Sequence, residues 1–267
     1  MSERLAVRKT YKLWIGGAFV RSESGRYDRA GDFNIPRASR KDVRDAVAAA
    51  RKAFGPWAAR TAYNRGQILY RAAEALESRR ADLGEASEVE QAIDVLLHYA
   101  GWTDKLAPVL GGVNPVAAPF LSFSTPEATG VVGVVAPEEP ELLGLVGAIA
   151  PALAAGNTVV AICSERWPLA GLDLGEVLAV SDVPGGVVNL LAGRRDELAP
   201  ALGAHRDLNA IVDASGDPEL AERLGVLAAE TVKRVVRIPA GSDAVDDSLR
   251  RLEALTELKT AWHPVGA

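Results

Sequence analysis

One cysteine, three histidines and a run of closely spaced glutamates are the side chains whose types suit chemistry. Cys163 is the only thiol, so a thiolate nucleophile in this chain would have to be this residue. The reactive form is the thiolate, and a neighbouring cation or base is what draws it out. Cys163 sits in Val160-Ala161-Ile162-Cys163-Ser164, with no His or Lys beside it. Unactivated cysteines are among the most buried residue types, which points to a structural thiol at the end of a strand. Glu138, Glu139 and Glu141 lie close enough to suggest an acid–base cluster. They also fall where a helix begins near Pro140, and acidic groups at a helix start are favoured by its dipole, the simpler physical account. His98, His205 and His263 have no metal-ligand spacing, so capping or solvated roles are expected and no metal.

The elements that would position these groups follow from hydrophobic period. Tyr11 to Val20 alternates as two short strands about the turn-prone pair Gly16-Gly17. Ser39 precedes Asp42 at capping-box spacing, and Val43, Ala46, Val47, Ala50 and Phe54 then fall on one helical face. Thr61 opens a second helix with Ile68, Leu69, Ala72, Ala73 and Leu76 inward, and a third spans Ser87 to Tyr99. From Gly130 the pattern changes. Val131–Ala136, Thr158–Cys163, Gly186–Leu191, Ala210–Asp213 and Val232–Ile238 are apolar runs, the signature of strands buried on both faces. Helices over Leu142–Ala154, Leu169–Ala179, Glu197–Ala204 and Pro218–Glu230 alternate with them, the first stopped at Gly156-Asn157. The fold class is therefore α/β, a doubly wound, Rossmann-like parallel sheet with N-terminal helices laid against it. Gly111 to Ala128 fits neither period and reads as a β-hairpin leaving the domain, with Leu258 to His263 as a third strand of the same flap.

Composition limits the partners. Across 267 residues, 48% are hydrophobic and 24% charged, ordinary for a globular protein with a full core. A net charge of −5 disfavours nucleic acid and anionic membrane surfaces, both of which select basic patches. A single cysteine excludes an intramolecular disulfide and suits a cytoplasmic location. Met1-Ser2-Glu3-Arg4 opens no signal-like apolar stretch, and Leu142 to Ala155 is too short and interrupted to cross a bilayer.

Several segments resemble the aldehyde dehydrogenase superfamily, in order and with sensible spacing. They are Leu13-Trp14-Ile15-Gly16-Gly17, Ala46 to Phe54, Pro151-Ala152-Leu153-Ala154-Ala155-Gly156-Asn157-Thr158-Val159-Val160, Pro184-Gly185-Gly186-Val187-Val188-Asn189 and Lys233-Arg234-Val235-Val236. Leu252 to Trp262 is similar to that family's last strand. Within the superfamily, Tyr63 to Tyr70 and Leu190 to Pro200 resemble the sixteenth aldehyde dehydrogenase family, whose members carry a C-terminal region without a catalytic domain.

The resemblance implies a nucleophilic cysteine in a catalytic domain placed after the last parallel strand. Here Pro239 to Arg251 is all that stands there, and Cys163 comes far too early. The oxyanion asparagine should follow Pro-Trp after the first parallel strand. Pro137 is kept, but Glu138 and Glu139 take the next places, and an ionised carboxylate donates no hydrogen bond to an oxyanion. Arg237 stands where the base glutamate should be, and a guanidinium cannot accept a proton near neutral pH. No catalytic residue is expected. For NAD(P), the ribose-binding Lys and Glu correspond to Ile162 and Glu165, and the pyrophosphate turn to Ser215-Gly216 between Asp213 and Asp217. Glu165, Ser215 and Gly216 are thus vestigial cofactor contacts, and cofactor binding is expected to be weak or lost.

These implications divide the chain into a coenzyme-binding-like domain at 1–116 and 131–242, a flap at 117–130 and 252–267, and a linker or helix at 243–251. In the family, the flap pairs across a subunit interface. The expected function is a non-catalytic subunit that docks a complete aldehyde dehydrogenase, or self-associates, through Phe120, Phe123, Leu258, Thr260 and Trp262. The alternative is a residual NAD(P)-binding protein working as a nucleotide sensor.

Overall fold

A computed structural model describes residues 9–242 and 249–265, so residues 243–248 of the linker or helix expected at 243–251 lie outside the described residues. The chain opens with β1 (Leu13–Ile15) and β2 (Ala18–Val20), turning through Gly16 and Gly17, both at positive φ. A second hairpin, β3 (Tyr27–Ala30) and β4 (Phe33–Pro36), has no counterpart in the sequence reading, because Tyr27-Asp28-Arg29-Ala30 is too polar and short to show a period. Three long helices follow: α1 (Arg40–Ala58), α2 (Ala62–Ser78) and α3 (Ala86–Trp102). The Ser39–Asp42 capping box closes as expected, and Thr61 caps α2. Asp42 is itself buried and accepts a further bond from Ser22 Oγ at 2.9 Å, so the cap also fixes the preceding loop.

A short helix α4 (Leu106–Leu110) leads into β5 (Gly112–Asn114) and β6 (Phe120–Ala128). The alternating part then runs β7 (Val131–Val135), α5 (Glu141–Ala154), β8 (Thr158–Ile162), α6 (Pro168–Val180), β9 (Val188–Leu191) and α7 (Arg195–Gly203). It ends with β10 (Ala210–Asp213), α8 (Pro218–Ala229) and β11 (Arg234–Arg237), followed by α9 (Arg250–Glu253) and β12 (Thr256–Pro264).

The main sheet has the order β11-β10-β7-β8-β9-β1-β2, with β7 to β11 parallel and β1 antiparallel to β9. Two buried layers flank it. Val132, Val134, Val159 and Val212 pack against α2, α3 and α5, while Val131, Val135, Val160 and Ile211 pack against α1, α7 and α8. Alternate residues of one strand thus enter opposite cores, which is why these strands read as continuous apolar runs. Each fully buried leucine, such as Leu142 or Leu202, contributes about 1.5–3 kcal/mol.

The motifs behind the family resemblance meet in space. Gly17 lies against Gly185 so closely that a Cβ on Gly17 would come within 2.6 Å of the Gly185 Cα. Buried Asn189 accepts from the Gly16 amide at 2.9 Å and donates to Val159 and Gly186 carbonyls, tying β9 to β8 and β1. Buried Asn157 accepts from Gly130 N at 2.8 Å and donates to Ala152 and Leu255 carbonyls. It therefore joins the end of α5, the entry to β7 and the root of the terminal strand. These are structural asparagines.

The flap forms a separate three-stranded sheet, β12-β6-β5, with β6 central. Its pairing runs from Thr256↔Ala128 to Pro264↔Phe120. The hairpin takes in Gly112–Asn114, three residues too few to show alternation.

Candidate functional site

The strand order reverses between β7 and β10, and ligands of doubly wound sheets bind in the crevice at such a switch point. Glu165, Ser215 and Gly216 all line that crevice, a cavity of about 730 Å³. They reach it from beyond the carboxyl ends of two parallel strands: Glu165 beyond β8, Ser215 and Gly216 beyond β10.

Arg195, the first residue of α7, spans the crevice. Its side chain is only 12% exposed and its Nη1 lies 2.7 Å from Glu138 Oε1, with Nη2 donating to the Ala136 carbonyl. The other Glu138 oxygen accepts from Ser164 Oγ at 2.7 Å and from Arg166 N at 3.0 Å. Glu165 accepts from Arg195 N at 2.8 Å and sits 3.6 Å from the Arg194 guanidinium. Burial pulls the Arg195 pKa down, and the Glu138, Glu165 and Asp213 carboxylates push it back. A guanidinium remains charged in proteins, so Glu138 is its counter-ion. The expectation that Glu138 serves the start of α5 is thus corrected: the α5 amides of Leu142 and Leu143 are capped by Glu88 of α3, at 2.7 and 2.9 Å. Only Glu141 lies in the first turn, and burial first, then Glu88 and Glu139, raise its pKa.

On the opposite wall, Ser215 Oγ donates to Asp213 Oδ1 at 2.6 Å and accepts from Asp217 N at 3.2 Å. Asp217 caps α8, its Oδ1 accepting from Glu219 N at 2.9 Å and Leu220 N at 3.2 Å. These are the amides that a phosphate at this helix start would need. Gly216 adopts φ +71°, which explains the glycine without reference to a ligand.

Cys163 is 1% exposed, and burial pushes its thiol up to about 12, with the Arg195 charge acting in the opposite direction. α6 packs directly on it: a Cβ on Gly171 would stand 2.6 Å from the sulfur. His98 lies edge-on to Tyr99, His263 stacks on Phe123, and His205 Nδ1 accepts from Asp207 N. Among the described residues no three His, Cys, Asp or Glu side chains converge as metal ligands, and no helix is long and apolar enough to cross a membrane.

The flap residues are solvent-facing. Leu258 is 62% and Trp262 56% exposed, and Thr260 and Phe120 are exposed beside them. Phe120 and Trp262 meet edge-on, with centroids 6.1 Å apart. Phe123 is on the opposite face, since residues of odd number on β6 pair with residues of odd number on β12. The flap is held at its root by Arg234 of β11. Its Nη1 donates to the Ala254 and Thr256 carbonyls at 2.9 and 2.8 Å, and its Nη2 lies 2.8 Å from Glu257.

Residues 33–245 match the aldehyde dehydrogenase family. The chain belongs to this family. It is 34% identical over 251 residues to 2-hydroxymuconic semialdehyde dehydrogenase of Pseudomonas sp. (strain CF600), covering 85% of this chain and 51% of that protein. It is 30% identical over 255 residues to aldehyde dehydrogenase, cytosolic 1, of Macroscelides proboscideus, covering 86% and 50%. The NAD+ complex of aldehyde dehydrogenase from Bacillus cereus superimposes with a TM-score of 0.81 at 27% identity, covering 86% of this chain and 50% of that one. The chain spans about half the length of the curated relatives it matches.

The NAD(P) implied by membership in the aldehyde dehydrogenase family does not fit the groups present. A pyrophosphate at α8 would have to displace the Asp217 carboxylate from the helix amides and lie beside Glu219. Ile162, in the place of the ribose-binding lysine, is fully buried in the core. Sequence reasoning found the repelling aspartates but missed Arg195, which entered it only as part of the Leu190 to Pro200 resemblance. The available signal was Glu138, an acid in an aromatic position that needs a counter-ion at the same end of the sheet.

Proposed function

We propose that this chain is a cytoplasmic, non-catalytic member of the aldehyde dehydrogenase family, similar to the C-terminal region of the sixteenth aldehyde dehydrogenase family. It works as a subunit that associates through its flap with a complete aldehyde dehydrogenase or with another copy. The observation that carries this reading is the outer edge of β12. It offers nine strand residues with no strand beside them among the described residues, on a sheet anchored to the body by Arg234 and Asn157. An edge of that length is an aggregation hazard unless a partner covers it, and strand addition is the mode that would do so. The crevice supports the same reading, because Arg195 is held by Glu138 and Glu165 there and Asp217 occupies the α8 amides a cofactor phosphate would need.

The test is the mass and composition of the chain purified from its native host, by native mass spectrometry. A complex is expected, and removal of residues 257–267 should abolish it; an unchanged complex mass after that removal overturns the reading. A second reading, residual NAD(P) binding, is favoured by the convergence of Glu165, Ser215 and Gly216 in one crevice. It requires micromolar affinity that Gly216→Asp removes, and no binding at millimolar cofactor eliminates it.

A further inference from the structure

We infer that the β12 edge pairs with the same edge of a second copy of this chain, antiparallel about a two-fold axis that places Thr260 opposite Thr260. This rests on the reading of the flap as an association surface and names the partner.

The sequence of β12 is complementary to itself in that register. A two-fold axis normal to the sheet keeps the two sides of the sheet distinct, so facing residues must share parity, and the axis must pass through a residue. Centred on Thr260, Leu258 faces Trp262 of the second copy and Trp262 faces its Leu258, joining the two largest exposed apolar side chains of the strand. Glu257 faces His263, a carboxylate opposite an imidazole that can donate to it. Lys259 faces Ala261 and meets no like charge. Pro264, which has no N–H, ends the ladder, so pairing spans residues 257–263.

The edge is also unguarded. Lysine on an edge strand ordinarily deters pairing. Here Lys259 is turned back over its own sheet, 3.0 Å from Glu127. Glu257 is likewise held by Arg234 at 2.8 Å. On the other side of β12, Phe120 meets Trp262, so pairing extends one apolar stripe from Phe120 through Trp262 to Leu258 of the second copy. This arrangement needs no catalytic domain as a docking surface, only the edge that the chain itself carries.

The register is tested by cross-linking the full chain. Facing residues of an antiparallel pair have Cα atoms about 4.5–5.5 Å apart, within the range a disulfide bridges. Lys259 and its own copy are diagonal neighbours at about 7–8 Å, too far. Cys163 is buried and leaves a clean background. Thr260→Cys is therefore expected to form a disulfide-linked dimer under mild oxidation, while Lys259→Cys does not. Leu258→Lys or Trp262→Glu alone should give monomer, and the double variant should restore the dimer because the new charges face each other across the axis. Wild-type chain that sediments as a monomer at tens of micromolar, or a dimer that Thr260→Cys fails to link, overturns the proposal. A monomer recovered from its host with a complete aldehyde dehydrogenase overturns self-pairing alone; a monomer recovered by itself overturns the association reading as well.

Discussion

Replacing Arg234 by Met keeps the aliphatic stem and removes the guanidinium that clamps the flap to the body. That side chain donates to two carbonyls at the start of β12, those of Ala254 and Thr256, and pairs with Glu257. Charge-assisted hydrogen bonds contribute about 1.5–3 kcal/mol each when shielded. Arg234 is 34% exposed, so water replaces part of what is lost. The Glu257 pair is more open and adds at most about 1 kcal/mol. The expected loss is about 2 kcal/mol, since water reaches both carbonyls once the side chain is gone. Urea unfolding followed by circular dichroism should show the midpoint fall by roughly 1 M with an unchanged slope. Hydrogen exchange should quicken in residues 249–256 by about 30-fold if the root opens locally. Arg237, on the same strand, makes one long contact to the Ala221 carbonyl at 3.3 Å, so Arg237→Met is the control and should leave both readouts unchanged. A loss below about 0.5 kcal/mol for Arg234→Met, or equal losses for the two variants, would refute the anchoring argument, since differences of that size are usual for surface changes.

Cys163 should resist iodoacetamide at pH 8 in the folded chain and react only after unfolding, because burial holds its thiol near 12; labelling of native protein, read by intact mass, contradicts this. Val232 takes the left-handed position that ends α8, at φ 55° and 92% exposed, where its branched side chain makes strain and little contact. Val232→Asn should therefore stabilise by about 1 kcal/mol, raising Tm by roughly 2–4 °C. Arg195→Met leaves the Glu138 charge without its counter-ion in a mostly buried place and should cost about 2–3 kcal/mol in the same urea assay, somewhat less than a fully buried pair. Glu141 has a raised pKa, so the folded chain holds that proton to higher pH than the unfolded chain. Its contribution to stability falls as pH rises from the ordinary glutamate range through the raised value, and Glu141→Gln should remove that fall in a Tm-against-pH series.

What the sequence determined by itself is whatever depends on local order. Five strands are legible because burial on both faces demands unbroken apolar runs such as Val131–Val135. The starts of α1 and α2 are legible because Ser39 and Thr61 bond to amides only three residues away. The lack of a second thiol is a property of composition. Tertiary structure decided everything that depends on where separate loops end. Glu138 and Arg195 are 57 residues apart and become an ion pair only because β7 and β9 both flank β8 and release their loops at the same end of the sheet. Glu88 caps α5 from another helix, while of the three local acids only Glu141 stands in the first turn. The β3–β4 hairpin and β5 gain their pairing from partners, with strands too short for any period to show. Local patterns record which surfaces a segment must bury; which charges then meet is fixed by packing, and that set Arg195 against Glu138 in the crevice and left the β12 edge open.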